Sequence, residues 1–198
     1  LGVKDEAELI EPAIAHLRKI GVDLIIACDL SSTDGTYEIL ERYRSDENFW
    51  LYRLSDREPD RFEPWRRTTL ALVKSAGVDW AIFLDADEFW LPASGHLKDC
   101  AGLADANALS VNRYNVPVST RGALFPKSPV PEFYDDLLLI LEESADLQTE
   151  LEKDASMPWM ARATAEPKLM ARPEKIGSLY YGAHFALSAD GQPLRAKA

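Results

Sequence analysis

Apolar and polar positions along the first half of the chain follow a repeated strand–helix rhythm. Leu1–Val3 reads as the tail of a first strand, and Lys4–Glu8 as the polar loop after it. Leu9, Ile10, Ala13, Ile14, Leu17 and Ile20 fall on one face at helical spacing. Pro12 suits the first turn of that helix, which sets its start near Ile10 or Glu11, and Gly21 stops it. Val22–Asp29 is a short apolar run closed by an acid, the pattern of a buried strand. Ser31-Ser32-Thr33-Asp34-Gly35 carries turn and cap chemistry, and Thr36–Arg44 reads as the next helix.

The unit then recurs. Phe49–Leu54 reads as a strand, Phe62–Ala76 as a helix closed by Gly77, and Val78–Leu84 as the strand that follows. Leu97–Leu103 predicts a short helix and Ala108–Tyr114 a strand carrying Arg113. Beyond Asn115 four prolines (117, 126, 129 and 131) punctuate a loop-rich stretch, and Phe133–Leu151 reads as a helix. Lys168–Arg172 and Ser178–Phe185 look like two short strands, and the tail after Ala186 is polar. Such alternation predicts a layered α/β fold with a mostly parallel sheet and ligands at the carboxyl ends of its strands. Two strands end in acids, at Asp29 and Asp85, and a parallel arrangement delivers both acids to one edge.

Composition narrows the classes. The 198 residues suffice for one sizeable core, and a single domain over 1–198 is expected. Hydrophobic residues at 46% and charged residues at 28% exclude a disordered chain. A net charge of −11 speaks against a nucleic-acid partner, because nothing offsets repulsion from phosphates. Cys28 and Cys100 lie far apart and suggest neither a disulfide framework nor a zinc site, so a cytoplasmic setting is expected. No signal peptide is read, and no apolar stretch approaches the roughly 20 residues that span a bilayer.

The segment Trp80-Ala-Ile-Phe-Leu-Asp85-Ala-Asp87-Glu88 ends an apolar run in three acids, with no Lys or Arg between Trp80 and Leu97. Like charges at the end of a buried strand are costly without a cation, and hard carboxylate oxygens suit Mg²⁺ or Mn²⁺. Asp85 and Asp87, two apart on a strand, face one side with alpha-carbons about 6.6 Å apart. A metal there can neutralise a diphosphate leaving group as a sugar–phosphate bond breaks. The plain alternative is a solvated acidic turn.

The stretches Val3–Glu8, Asp29–Thr36 and Asp79–Phe89, in that order and each beside a strand, resemble glycosyltransferases of the GT-A fold, the family-2-like group. The resemblance implies a Rossmann-like three-layer α/β/α sandwich with a nucleotide-binding part over about 1–92 and an acceptor side over about 93–198, and a metal-dependent transfer of sugar from a nucleotide-diphosphate-sugar donor. It implies that Asp29 sits by the base or ribose and Asp85 by the ribose or donor sugar. Asp87 would hold the metal, and Glu6 with the loop at Lys4 would line the nucleotide pocket. Asp5 stands where the family commonly has Asn. Asp34 reads as a turn and cap residue.

His184, one of three histidines, occupies a place where such enzymes often take a further metal ligand, and imidazole suits Mn²⁺ better than Mg²⁺. Lys168 and Arg172 are candidate phosphate contacts, and Arg66 and Arg67 candidate substrate neighbours. For the general base that takes the acceptor's proton, Glu88, Asp135 and Asp136 are the candidates. The acceptor, a glycan, lipid or protein, is not identified by these residues. Two other readings stand beside the transferase: a haloacid-dehalogenase-like phosphatase with Asp85 as nucleophile, and a non-catalytic nucleotide-sugar-binding domain.

Overall fold

The computed structural model describes residues 1–55, 62–113, 153, 165–180 and 183–197. Packing divides the chain into two compact units, Leu1–Val111 with Lys168–Ala198, and Asn112–Pro167. Only residues 112, 113, 153 and 165–167 of the second unit are described. Every feature below belongs to the first unit. The expected helix over Phe133–Leu151, and with it Asp135 and Asp136, lies outside the described residues.

Three parallel strands, β1 (Gly2–Val3), β2 (Ile25–Asp29) and β3 (Phe49–Arg53), lie in the order β1-β2-β3. All five residues of β2 are buried, as a central strand covered on both faces requires. Its side chains alternate between layers. Ile25 and Ala27 join a core with Ile10, Ile14 and Leu17 of helix α1 (Ile10–Lys19) and Leu40 of α2 (Thr36–Glu41). Ile26 turns the other way, to Leu70 and Val73 of α3 (Phe62–Ser75). Period-two alternation in the strand thus meets period-3.6 stripes on two helix layers, and each large apolar side chain so buried contributes roughly 1.5–3 kcal/mol.

A second ladder is antiparallel. Strand β4 (Ala81–Ile82) pairs with β6 (Lys168–Ala171), which also pairs with β5 (Ala108–Val111). The two ladders meet where Gly2 bridges Asp85 in parallel, its N–H donating to the Leu84 carbonyl at 3.1 Å. This strand line brings Asp85 beside β1. A side chain at Gly2 would press on Trp65, whose Cε2 lies 2.9 Å from the site of an added Cβ.

Several expectations shift in detail. The parallel sheet β1-β2-β3 stands as expected, and beside it β6 enters between β4 and β5 against both. The expected strand over Val78–Leu84 keeps ladder pairing only at Ala81–Ile82. The short helix at Leu97–Leu103 contracts to a 3-10 turn over Leu97–Asp99, since Cys100 already takes an extended backbone at ψ 134° and Gly102 beyond it takes φ +90°. The single strand over Ser178–Phe185 is instead a hairpin of β7 (Ser178–Tyr180) and β8 (Phe185–Leu187). The polar tail also pairs: Lys197 exchanges backbone hydrogen bonds with Ala108 and Ser110, covering the edge of β5.

Candidate active site

Register sets the site. Val3 pairs with Asp29, and Gly2 bridges Asp85, so both acid-tipped strands end at one edge. The loops that leave this edge are laced together by side chains. Thr36 Oγ1 accepts from the Glu6 N–H at 2.8 Å, Ser32 Oγ from the Asp5 N–H at 2.9 Å, and Asp34 Oδ2 from the Ala7 N–H at 2.9 Å. In return Asp5 Oδ1 accepts from the Thr33 N–H at 2.7 Å. The Ser-Ser-Thr-Asp-Gly-Thr run therefore holds the loop after β1. Asp34 also takes the Thr36 N–H at 3.0 Å, and hydrogen bonds led by the Thr36 hydroxyl hold its carboxyl below the usual range. Asp5 adopts φ +54°, a left-handed conformation that Asn and Asp tolerate better than most residues.

Asp29 is fully buried. Its Oδ2 lies 2.8 Å from Arg53 Nε, and both its oxygens accept from the Ser32 N–H at 3.2 and 3.3 Å. Arg53, paired with Asp29 in the ladder, stacks 4.4 Å from the Tyr37 ring centroid and donates to the Ser32 carbonyl at 3.1 Å. With 45% of its side chain exposed, Arg53 carries the charge of this corner to the surface. Sequence reasoning missed it; the signal was a cation at the carboxyl end of the strand neighbouring Asp29.

The acidic turn has a cation beneath it. Lys168, 1% exposed at the start of β6, places Nζ 3.0 Å from Glu88 Oε2 and 3.3 Å from Asp85 Oδ2. Glu88 Oε2 also accepts from the Asp85 N–H at 3.1 Å, while the Glu88 N–H donates to the Asp85 carbonyl at 3.2 Å. The cation that the sequence called for at these acids is thus supplied in part by a lysine of the chain itself. Lys168 comes from 83 positions down the chain, far outside the acid-flanking window. Burial raises the Glu88 carboxyl despite the ammonium beside it. Asp85 keeps 54% of its side chain exposed, Glu88 only 11%, and Asp87 is exposed.

Glu6 closes the group. Burial first, and then the charges of Asp87, Asp34, Asp85 and Asp5, push its carboxyl up to about 7. Burial disfavours its charged form, and the neighbouring acids add to that cost.

A family model for glycosyl transferase family 2 matches residues 2–143. The chain belongs to this family. Membership bears out the expected GT-A-type α/β fold and the transferase class, and sets aside the phosphatase reading. Among solved structures, S. aureus TarS 1–349 in complex with UDP is 19% identical over 87% of this chain and 46% of that one, with a TM-score of 0.47. A second structure of TarS 1–349 is 22% identical over 64% and 39%, with a TM-score of 0.44. Mannosyltransferase PcManGT from Pyrobaculum calidifontis, in complex with GDP-Man and Mn²⁺, is 22% identical over 57% and 34%, at 0.39. This chain spans less than half the length of each. No curated protein matches it.

Within this family-2 chain the remaining candidates take distinct places. Lys168 is committed to the acids and does not extend toward an external phosphate. Arg172 donates to the Leu103 and Ala106 carbonyls at 2.8 and 3.1 Å and lies over Trp80, so it clamps the fold. Arg67 pairs with Glu63 at 3.6 Å on the exposed side of α3, while Trp65, just before Arg66 and Arg67, is buried. His184 is half-buried between Ala183, at φ +67°, and β8. Among the described residues no three His, Cys, Asp or Glu side chains gather to hold an ion by themselves. Nor is any helix among them long and apolar enough to cross a membrane.

Proposed function

We propose that the acidic edge binds a nucleotide-diphosphate-sugar donor with Mn²⁺ or Mg²⁺, and that the chain transfers the sugar to an acceptor. The observation that carries this reading is the placement of Glu6, Asp85 and Asp87 at one strand edge, where burial and then the neighbouring acids push the Glu6 carboxyl up to about 7. Carboxylate oxygens are the donors that both ions prefer. Asp87 would hold the ion, and because the described residues offer no complete ligand set, donor diphosphate oxygens would complete its shell. His184 stands as a further candidate ligand. When bound, such an ion offsets charge that builds on the departing diphosphate.

The protein's own residues do the rest. Asp85, half exposed beside β1, faces the donor's ribose or sugar from a position that Lys168 holds. The loop around Glu6, laced to Ser32, Asp34 and Thr36, walls the nucleotide side. Asp29 orients Arg53, which presents the polar surface at the base end. Glu88 shapes the turn: its carboxylate is tied to the Asp85 N–H and Lys168, and a general base must reach its substrate.

A thermal-shift series with nucleoside diphosphates, with and without Mn²⁺, tests the binding half. Stabilisation by at least one of them, larger with Mn²⁺, is expected. Slow metal-dependent hydrolysis of the matching nucleotide sugar without acceptor tests the transfer half. Tight binding with no turnover on any acceptor would instead mark a non-catalytic binding domain.

A further inference from the structure

Lys168 is among the largest fully buried side chains of the chain, and it is the buried cation of the acidic turn. An ammonium inside a protein persists only when carboxylates pair with it, and here two do, at 3.0 and 3.3 Å. Its strand is hydrogen-bonded on both sides and Lys168 itself pairs with Val111, which fixes the backbone from which the side chain reaches the two acids. A divalent ion that sought Asp85 and Glu88 together would have to share them with this ammonium a few ångströms away. Repulsion at that range in a poorly solvated site is large. Asp87, exposed on the outer part of the turn, lies on the solvent side of this arrangement.

We propose that Lys168 is a positioning residue whose ammonium group sits under the Asp85–Glu88 turn, making divalent-ion binding depend on the donor's diphosphate. The inference rests on the functional reading above. It follows that the ion binds weakly to the bare edge and tightly once diphosphate oxygens supply the ligands and negative charge that Lys168 has consumed. Linkage makes the effect mutual: the ion raises nucleotide affinity by the same factor.

The test is Mn²⁺ binding to the full chain, followed by electron paramagnetic resonance, alone and with UDP or GDP. Wild type should bind Mn²⁺ alone at least about tenfold more weakly than with the nucleotide it accepts. Lys168→Met should tighten Mn²⁺ binding without nucleotide by about tenfold or more, and Lys168→Arg should restore the wild-type pattern. Because Lys168→Met leaves two inner carboxylates without their cation, Lys168→Met with Glu88→Gln provides a second variant with less buried charge. It should show the same nucleotide-independent gain. A wild-type chain that binds nucleotide, with Mn²⁺-alone affinities equal in all four proteins, overturns the role of Lys168 and leaves the functional reading intact. A wild-type chain that binds neither UDP nor GDP with Mn²⁺, while another nucleoside diphosphate does bind, moves the test to that nucleotide and the same comparison decides. Binding of none defeats the functional reading and this inference together.

Discussion

Arg53 Nε and Asp29 Oδ2 lie 2.8 Å apart across a single rung of the sheet, joining the tips of β2 and β3. The carboxylate is sealed from water while the guanidinium is half exposed, so the pair ties a buried anchor to the protein surface. Hydrogen bonds to charged groups contribute about 1.5–3 kcal/mol. Asp29→Ala should therefore lower unfolding stability by about 2 kcal/mol in urea titration, and Asp29→Asn by less, because the amide oxygen still accepts from Ser32. Folded Asp29→Ala should also bind nucleotide more weakly. An unaltered dissociation constant removes Asp29 from the site.

Asp87 is exposed and makes no contribution to the apolar core. Asp87→Ala should thus leave the thermal midpoint within about 2 °C of wild type, as surface changes generally do. It should weaken nucleoside diphosphate binding in the presence of Mn²⁺ by at least about tenfold, or about 1.4 kcal/mol. Calorimetric affinity equal to wild type would falsify the assignment of Asp87 to the ion.

Glu6 gives a pH signature. Its folded-state carboxyl is raised to about 7 from 4.5, so folding favours the protonated form. This group's contribution is fully present below 4.5 and is lost as pH rises through 7. Glu6→Gln should raise the thermal midpoint at pH 8 and leave it unchanged at pH 4. Mn²⁺ with nucleotide should narrow the difference at pH 8, since a cation offsets the same repulsion. Parallel pH curves for the two proteins would dissolve the acidic cluster.

His16 ties α1 to the segment after the acidic turn. Its Nε2 lies 2.6 Å from the Trp90 carbonyl, and its ring meets Phe89 at 5.5 Å. Burial lowers its pKa below 6.5, so the fold holds the neutral ring, whose Nε2–H donates. The stability it lends is present above 6.5 and declines as pH falls from there through the lower folded value. His16→Leu should cost about 1–3 kcal/mol at pH 7.5 by stranding the Trp90 carbonyl, and should flatten the decline between pH 6.5 and 5. Retention of the wild-type slope in the variant would assign the acid sensitivity elsewhere.

Legibility of the chain followed the range of the interactions. Helix α1, with Ile10, Ala13, Ile14 and Leu17 on one stripe and Gly21 after it, was readable because a helix face is a local pattern. The acids at Asp29 and Asp85 could be assigned to one edge because parallel strands point their carboxyl ends alike. The antiparallel course of β6 was not readable, since a four-residue apolar strand carries no mark of direction. The β7–β8 hairpin was hidden for a related reason: an apolar run reads the same whether straight or folded back.

What the amino-acid order settled alone is the set of elements through Arg53, the apolar faces that form two helix layers, and the delivery of acids to a strand edge. Those properties depend on spacing among near neighbours. Only the tertiary structure decided which cation meets those acids and how much of each carboxylate remains for a ligand. Lys168 reaches Asp85 and Glu88 across a gap of about eighty residues, and Arg53 closes over Asp29 through strand pairing. Charge compensation acts through space between side chains, and distance along the chain carries no record of it.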